Sequence, residues 1–557
     1  MRMRVSVVGA LLLVVALTAC SGKSGGTAAT TGTPGTPGTP GSGGGGVNPT
    51  PAQPTDIVTY KYDLGRTGQN LTESVLTLAN VNSQSFGLLR LLNTDGKVDA
   101  QPLYLSGLTV QGAKHNVLFV ATENDSVYAF DADSGTLLWH VSLLGSGETV
   151  DDLPSNGCTQ VTPTIGVTST PVIDRSAGAH GTIFLVAMSV ATASGTYYQR
   201  LHALDVTTGA ELLNGPVVVS ATYPMQGGTS SFDAGQYEER AALLLSGGTI
   251  YTSWTSHCDA PPYYGWIIAY SESTLARTAV LNVAANSGGE GPAIWMSGGG
   301  PAADSSGNVY LLTANGAFDT TLDANGFPSG GDYGNSFLKL STAGGTLTVA
   351  DYFTMSNAVS ESADDADLGS GGILLLPDLT DSGGTVRHLA VGAGKDTNLY
   401  VVNRDSMGKF NSNSNNIWQQ LSGALPGGIW STPAYFNGVL YYGNSNGALV
   451  AFPVSAARLA GTPSSSGATK YTYPGTSPAV SANGTGNGIV WAHENSSPAV
   501  LHAYDASNLA HELYNSSQAA NGRDQFGAGN KFITPAIADG KVFVGTQSGV
   551  AVFGLLN

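Results

Sequence analysis

The stretch Tyr128-Ala-Phe-Asp-Ala-Asp-Ser-Gly-Thr-Leu-Leu-Trp139 decides the fold. Val127 and Ala129 alternate with apolar neighbours as a strand does, Asp131 to Gly135 carry the residues of a tight turn, and a second strand ends in Trp139. Echoes recur at His202-Ala-Leu-Asp-Val-Thr-Thr-Gly209, Ile268-Ala-Tyr-Ser-Glu-Ser-Thr-Leu275, Tyr400-Val-Val-Asn-Arg-Asp-Ser-Met-Gly408 and His502-Ala-Tyr-Asp-Ala-Ser-Asn-Leu509. Each echo lies in a unit of roughly 40–70 residues, the period of a propeller blade with loop insertions.

Working outward, eight places share a Pro or small residue, an apolar strand, a Gly or Asp turn and a second strand rich in Val and Tyr. They begin near Gln101, Ser169, Ala241, Gly300, Gly372, Ser431, Ser477 and Ile533. The expectation is an all-β protein, an eight-bladed β-propeller, with seven blades as the alternative because the unit at 430–459 is short. The last unit ends at Val542-Phe-Val-Gly-Thr-Gln-Ser-Gly-Val-Ala-Val-Phe553 and lacks an outer strand. Phe86-Gly-Leu-Leu-Arg-Leu-Leu92 precedes the first unit and lacks a partner, so pairing the two closes the ring and leaves only short edges. Helical periodicity is nearly absent, and Leu71 to Val81 is the best short helix candidate.

The chain starts Met-Arg-Met-Arg, continues with an apolar run from Val5 to Ala16, and then reads Leu17-Thr-Ala-Cys20. This is the tripartite pattern of an export signal, with an apolar run too short to span a bilayer. Leu-Thr-Ala-Cys resembles a bacterial lipobox, which implies lipidation of Cys20, and Ser21 resembles the sorting context of outer-membrane lipoproteins. The expected layout is a lipoprotein signal over 1–20, a Gly/Thr/Pro/Ser tether over 21–56 and a propeller over 57–557. The tether has too little apolar content to bury a core.

The 557 residues are 41% hydrophobic and only 11% charged, and their 75 glycines suit many tight turns. A net charge of −17 without a basic cluster argues against a nucleic-acid partner. Membrane contact is expected only through the lipid, and the protein is expected to be a monomer in the bacterial cell envelope. Cys158 and Cys258 lie in a compartment that permits disulfides, and either a bridge or two buried thiols fits them. No Cys-x-x-Cys-His is present, so no covalent haem is expected.

With these residues laid out, the repeat resembles the tryptophan-docking repeat of the quinoprotein alcohol dehydrogenase superfamily, which also includes the scaffold lipoprotein of outer-membrane β-barrel assembly. The resemblance runs from about Tyr60 to Phe553, and it implies that the Trp packs between blades. Tyr62-Asp-Leu-Gly-Arg-Thr-Gly-Gln-Asn is similar to the opening segment of those dehydrogenases. Gly394-Lys-Asp-Thr-Asn-Leu-Tyr-Val-Val-Asn-Arg404 is similar to their quinone-contacting segment, which places Lys395 on the lysine that touches the cofactor. Val309-Tyr-Leu-Leu-Thr-Ala-Asn-Gly316 resembles their calcium-holding strand and implies a calcium role for Asn315, with Asp259 as the nearest further carboxylate. Asp367 is near the position of their catalytic base, and Trp295 and Trp430 resemble aromatics beside the quinone.

The departures are as informative. Gly157-Cys158-Thr159 stands where a pair of adjacent cysteines is usual, so a vicinal disulfide is excluded. Ala366 replaces the Trp that usually precedes the base, and the calcium-binding glutamate has no clear counterpart. The acidic run Glu361-Ser-Ala-Asp-Asp-Ala-Asp367 lacks the spacing of a calcium loop and reads as a solvated loop. The leading expectation is a lipid-anchored propeller that binds a small-molecule or protein partner through its axial face, at a degenerate quinoprotein-like site. The alternative is a dehydrogenase of alcohols or sugars that uses pyrroloquinoline quinone and calcium; a third reading is an outer-membrane assembly scaffold.

Overall fold

The computed structural model describes residues 56–152 and 157–556. Cys20, the signal and nearly all of the tether lie outside the described residues. Eight antiparallel sheets follow one another along the chain, which makes the eight-bladed count the correct one. Their innermost strands begin at Leu103, Val172, Leu244, Ala302, Leu374, Ala434, Ala479 and Ala536, two or three residues after each start read from the sequence. Numbered in that order, blade 6 reaches full size because its outer strand Ser465–Tyr471 comes from beyond the short unit and pairs with Gly447–Ser455.

Blade 8 is completed by the chain's own beginning. Phe86–Asn93 pairs antiparallel with Gly549–Leu555, from Phe86 opposite Leu555 to Asn93 opposite Gly549. The closure is apolar as well as hydrogen-bonded, for Phe86 packs against Trp491, Tyr514 and Phe553. Blade-to-blade packing uses the repeat's own residues. Asp131 Oδ1 accepts the backbone amides of Asp133 and Ser134, which fixes the turn, and Gly135 takes the left-handed φ of 79° that the turn requires. Trp139 then lies over Gly209 of blade 2 and donates from Nε1 to the Val206 carbonyl at 3.0 Å.

Residues 71–81 form turns, not the helix expected from their periodicity. Side chains there take the amides that helical turns would use. Asn70 Oδ1 accepts from Thr72, Glu73 Oε1 accepts from Val75 and Leu76, and Asn80 Oδ1 accepts from Thr77. Among the described residues the one α-helix is Ala358–Ala363, and no helix is long and apolar enough to cross a membrane.

The opening segment threads the ring. Ile57 bridges Tyr104 of blade 1, and the carbonyls of Val58, Leu64, Gly65, Thr67 and Gly68 accept amides from blades 2, 4, 5, 6 and 7. Arg66, fully buried, donates to Leu243 of blade 3 and Pro301 of blade 4, and the Tyr62 hydroxyl accepts from Ile537 of blade 8. All eight blades are thereby tied to one short stretch. Lys61, equally buried, points Nζ at the carbonyls of Thr432, Pro433 and Pro478, and burial holds its ammonium well below the usual lysine range.

Candidate functional site on the axial rim

Antiparallel blades place the segment that leads into a first strand and the segment that leaves a second strand on the same rim. Asn315 leaves the second strand of blade 4 (Val309–Leu312), and Lys395 leaves that of blade 5 (Leu389–Ala393). Asp367 leads into blade 5, Trp430 into blade 6 and Trp295 into blade 4, while Asp259 follows the second strand of blade 3. Topology thus gathers at one end residues separated by more than a hundred positions in sequence.

A compact ionic group lies at the centre. Lys395 Nζ is 2.8 Å from Asp367 Oδ2 and 2.8 Å from Asp365 Oδ1. Asn315 braces both acids: its backbone amide donates to Asp367 Oδ1 at 2.7 Å and its side-chain amide to Asp365 Oδ1 at 2.9 Å. Asp367 is buried, and burial raises its carboxyl above the ordinary value while Lys395 pulls it back. Burial alone lowers the Lys395 ammonium, but Asp367 and Asp365 outweigh that and leave it raised. Asp259 is an exposed residue whose carboxyl faces the crowded rim; loss of water and the field of Asp367 push it up to about 6, against the pull of Lys395.

Aromatic rings enclose the space alongside. Trp430 lies 6.0 Å from the Lys395 ammonium and edge-on to Tyr473 at 5.5 Å. Trp295 meets Phe532 edge-on at 6.3 Å, and the Arg240 guanidinium lies 4.8 Å from the other ring. Arg240 is held by Glu238 at 2.9 Å, and His257 faces the same carboxylate at 3.5 Å. Cys158 and Cys258 form a disulfide between two loops, with 100 positions between them. The backbone around this rim is strained: Cys258, Asp259, Met296, Ser297, Asp365 and Phe532 all have φ between 41° and 66°. Such strain in residues with side chains gathers at ligand clamps and active sites.

Sequence reasoning assigned Asp365 to a solvated loop and did not single out Tyr473, Phe532, Arg240 or Glu238. The Asp-Ala-Asp spacing that brings Asp365 and Asp367 to one ammonium is the one signal that was present. Nothing local marks Phe532, whose place depends on blade 8 meeting blade 4 across the ring.

The fit to a quinone and calcium is poor. The cavity lined by Trp295, Phe532, Tyr473, Arg240, Glu238 and Asp259 measures about 60 Å³. That is room for about four to six waters at 10–15 Å³ each, whereas small-molecule sites run to about 300–1,000 Å³. Phe532 and Tyr473 are among the side chains that line this small cavity. Lys395 already supplies the positive charge between Asp365 and Asp367, and among the described residues no three His, Cys, Asp or Glu side chains are arranged to hold a metal ion.

Three solved structures share the architecture over 90% of this chain. Quinohemoprotein alcohol dehydrogenase from Comamonas testosteroni matches with TM-score 0.59, 15% identity and 80% of its own chain covered. The fold is that of the quinoprotein alcohol dehydrogenases. A quinohemoprotein alcohol dehydrogenase of Pseudomonas putida HK5 matches at 0.56 with 12% identity over 80% of its chain, and a europium-containing methanol dehydrogenase at 0.55 with 14% identity over 98%. No family model and no curated protein matches the sequence.

Proposed function

We propose that this chain is a lipid-anchored cell-envelope propeller that binds a small polar ligand or a partner's side chain on its axial rim, without quinone turnover. The observation that carries the reading is the Lys395 ammonium placed between Asp365 and Asp367 at 2.8 Å from each. It offsets one of two carboxylate charges internally, beside a cavity of about 60 Å³ lined by aromatic rings together with Arg240, Lys531, Glu238 and Asp259. That mixture suits a ligand with both apolar and hydrogen-bonding parts. Anchoring rests on Leu17-Thr-Ala-Cys20.

A dehydrogenase of alcohols or sugars is the second reading, favoured by Asp367, a buried carboxyl with raised proton affinity that could accept a proton at Oδ2. One experiment separates the two. The whole protein is mixed with Ca²⁺ and pyrroloquinoline quinone, the bound cofactor's absorbance is followed, and dye reduction is assayed with alcohols and sugars. Neither signal is expected; dye reduction that disappears in Asp367→Ala would establish the enzyme instead.

A further inference from the structure

Lys97, Arg240 and Lys531 reach the axial rim from the segments that lead into blades 1, 3 and 8. Two of these cations have a carboxylate of their own: Lys97 Nζ is 2.8 Å from Asp99 Oδ2, and Arg240 Nε is 2.9 Å from Glu238 Oε1. Among the described residues Lys531 has none. Its Nζ makes a single hydrogen bond, to the Gln160 carbonyl at 3.1 Å, and its side chain lines the axial cavity together with Arg240, Trp295 and Phe532. We infer that Lys531 is a nucleophilic amine and that the axial ligand is a small aldehyde or ketone, held there as an imine. The inference rests on the axial-rim reading above and names the class of its ligand.

The surroundings favour an amine over an ammonium. Loss of water and then the charges of Arg240 and Lys97 lower the Lys531 ammonium below the ordinary lysine value, against the opposite pull of Asp99 and Glu238. Lys531 is therefore neutral more often than an unperturbed lysine, with a free electron pair at Nζ. A desolvated lysine beside another cation is the form of this side chain that attacks carbonyl groups. Two other lysines show the contrast. Burial also lowers Lys61, but its Nζ donates to three backbone carbonyls in the closed interior. Lys395 lies on the rim, but Asp365 and Asp367 hold it as an ammonium.

The cavity sets the size of the ligand. At one water-sized volume per heavy atom, about 60 Å³ holds about four to six heavy atoms, which admits a two- or three-carbon carbonyl compound and excludes a quinone. The polar lining of Glu238, Thr255, Ser256 and Asp259 suits a hydroxyl at the ligand's other end. In the reaction the Nζ electron pair forms a bond to the carbonyl carbon, and one C=O pair moves to oxygen. The two amine hydrogens leave with that oxygen as water, and the C=N bond closes. The step consumes no oxidant or reductant.

The whole protein is incubated with glycolaldehyde and cyanoborohydride at about pH 7, which reduces an imine to a stable secondary amine, and the labelled lysines are mapped by mass spectrometry. Lys531 should be labelled at least about tenfold faster than the exposed Lys114 and Lys470, since each unit of lowering leaves about tenfold more neutral amine. In calorimetry without the reductant, glycolaldehyde should bind at least about tenfold more tightly than ethylene glycol, which has no carbonyl. Lys531→Arg keeps the charge and removes the attacking amine, so it should bring glycolaldehyde down to the level of ethylene glycol. Labelling of Lys531 no faster than of Lys114 and Lys470 would overturn the inference in the unaltered protein, whatever the variant does; so would undiminished glycolaldehyde binding in Lys531→Arg. Either result leaves the axial-rim reading standing, which falls instead to quinone binding with dye reduction that depends on Asp367.

Discussion

At the scale of single residues, the axial rim is governed by who neutralises whom. Asp365 and Asp367 share one ammonium, and the nearby Asp259 carboxyl feels the charges of all three. Its carboxyl should titrate at about 6 in labelled-aspartate NMR. Lys395→Ala should move the midpoint up, since Lys395 pulls it down, and Asp367→Asn should move it down, since the Asp367 charge pushes it up. Midpoints that stay fixed in both variants would refute the coupling. The folded value lies above the ordinary 3.8, so this group's contribution to stability is complete below pH 3.8 and is lost as pH rises through about 6. Because Asp259 keeps solvent contact, the effect on stability is a direction and not a magnitude. Of this group, Lys395, Asn315, Asp367 and Asp259 stood out in the sequence, because each fell within or beside a matched segment. Asp365 did not, because a carboxylate in a polar run looks solvated until its partner thirty residues on is known.

At the scale of the element, the turn and the Trp of the opening repeat act together as a dock. A Cβ built on Gly209 would lie 2.8 Å from the Trp139 ring, and the glycine's φ is 71°. Gly209→Ala should therefore cost about 1–3 kcal/mol through overpacking and backbone strain, seen as a lower urea midpoint with an unchanged slope. Trp139→Ala should cost about 3–5 kcal/mol. The double variant should cost less than the sum, because the contact with the ring goes while that with Val141 Cγ1, also at 2.8 Å, stays. An additive double variant would show that the Trp139 ring is not what requires glycine at 209. Strand starts, turns and the docking Trp were legible because each depends on local chemistry. The 71–81 segment was misread because side-chain capping by Asn70, Glu73 and Asn80 leaves the same apolar spacing as a helical turn.

At the scale of the whole molecule, closure has two parts, the Phe86–Asn93 strand that completes blade 8 and the segment before it that ties the blades from within. Arg66 donates to Thr59 Oγ1 at 2.6 Å and to the carbonyls of Tyr60, Leu243 and Pro301 at 2.9, 3.1 and 2.9 Å, all buried. Arg66→Ala leaves those acceptors dry and should cost about 3–5 kcal/mol by equilibrium unfolding, with Arg66→Lys recovering only part. A loss under about 1 kcal/mol would mean that water replaces the guanidinium. The sequence by itself determined an all-β ring of repeated blades, its closure by the two ends of the repeat region and the rim residues that belong to matched segments. Those features follow from period-two patterning, turn residues and an unpaired strand at each end, all of which are local. Tertiary structure alone decided that Lys395 lies between two aspartates, that Phe532 and Tyr473 narrow the axial cavity, and that Lys531 lines that cavity together with Arg240. Each of these is a meeting of side chains from segments far apart in sequence, within blade 5 for Lys395 and its aspartates and between blades for the others, and local spacing carries no information about it.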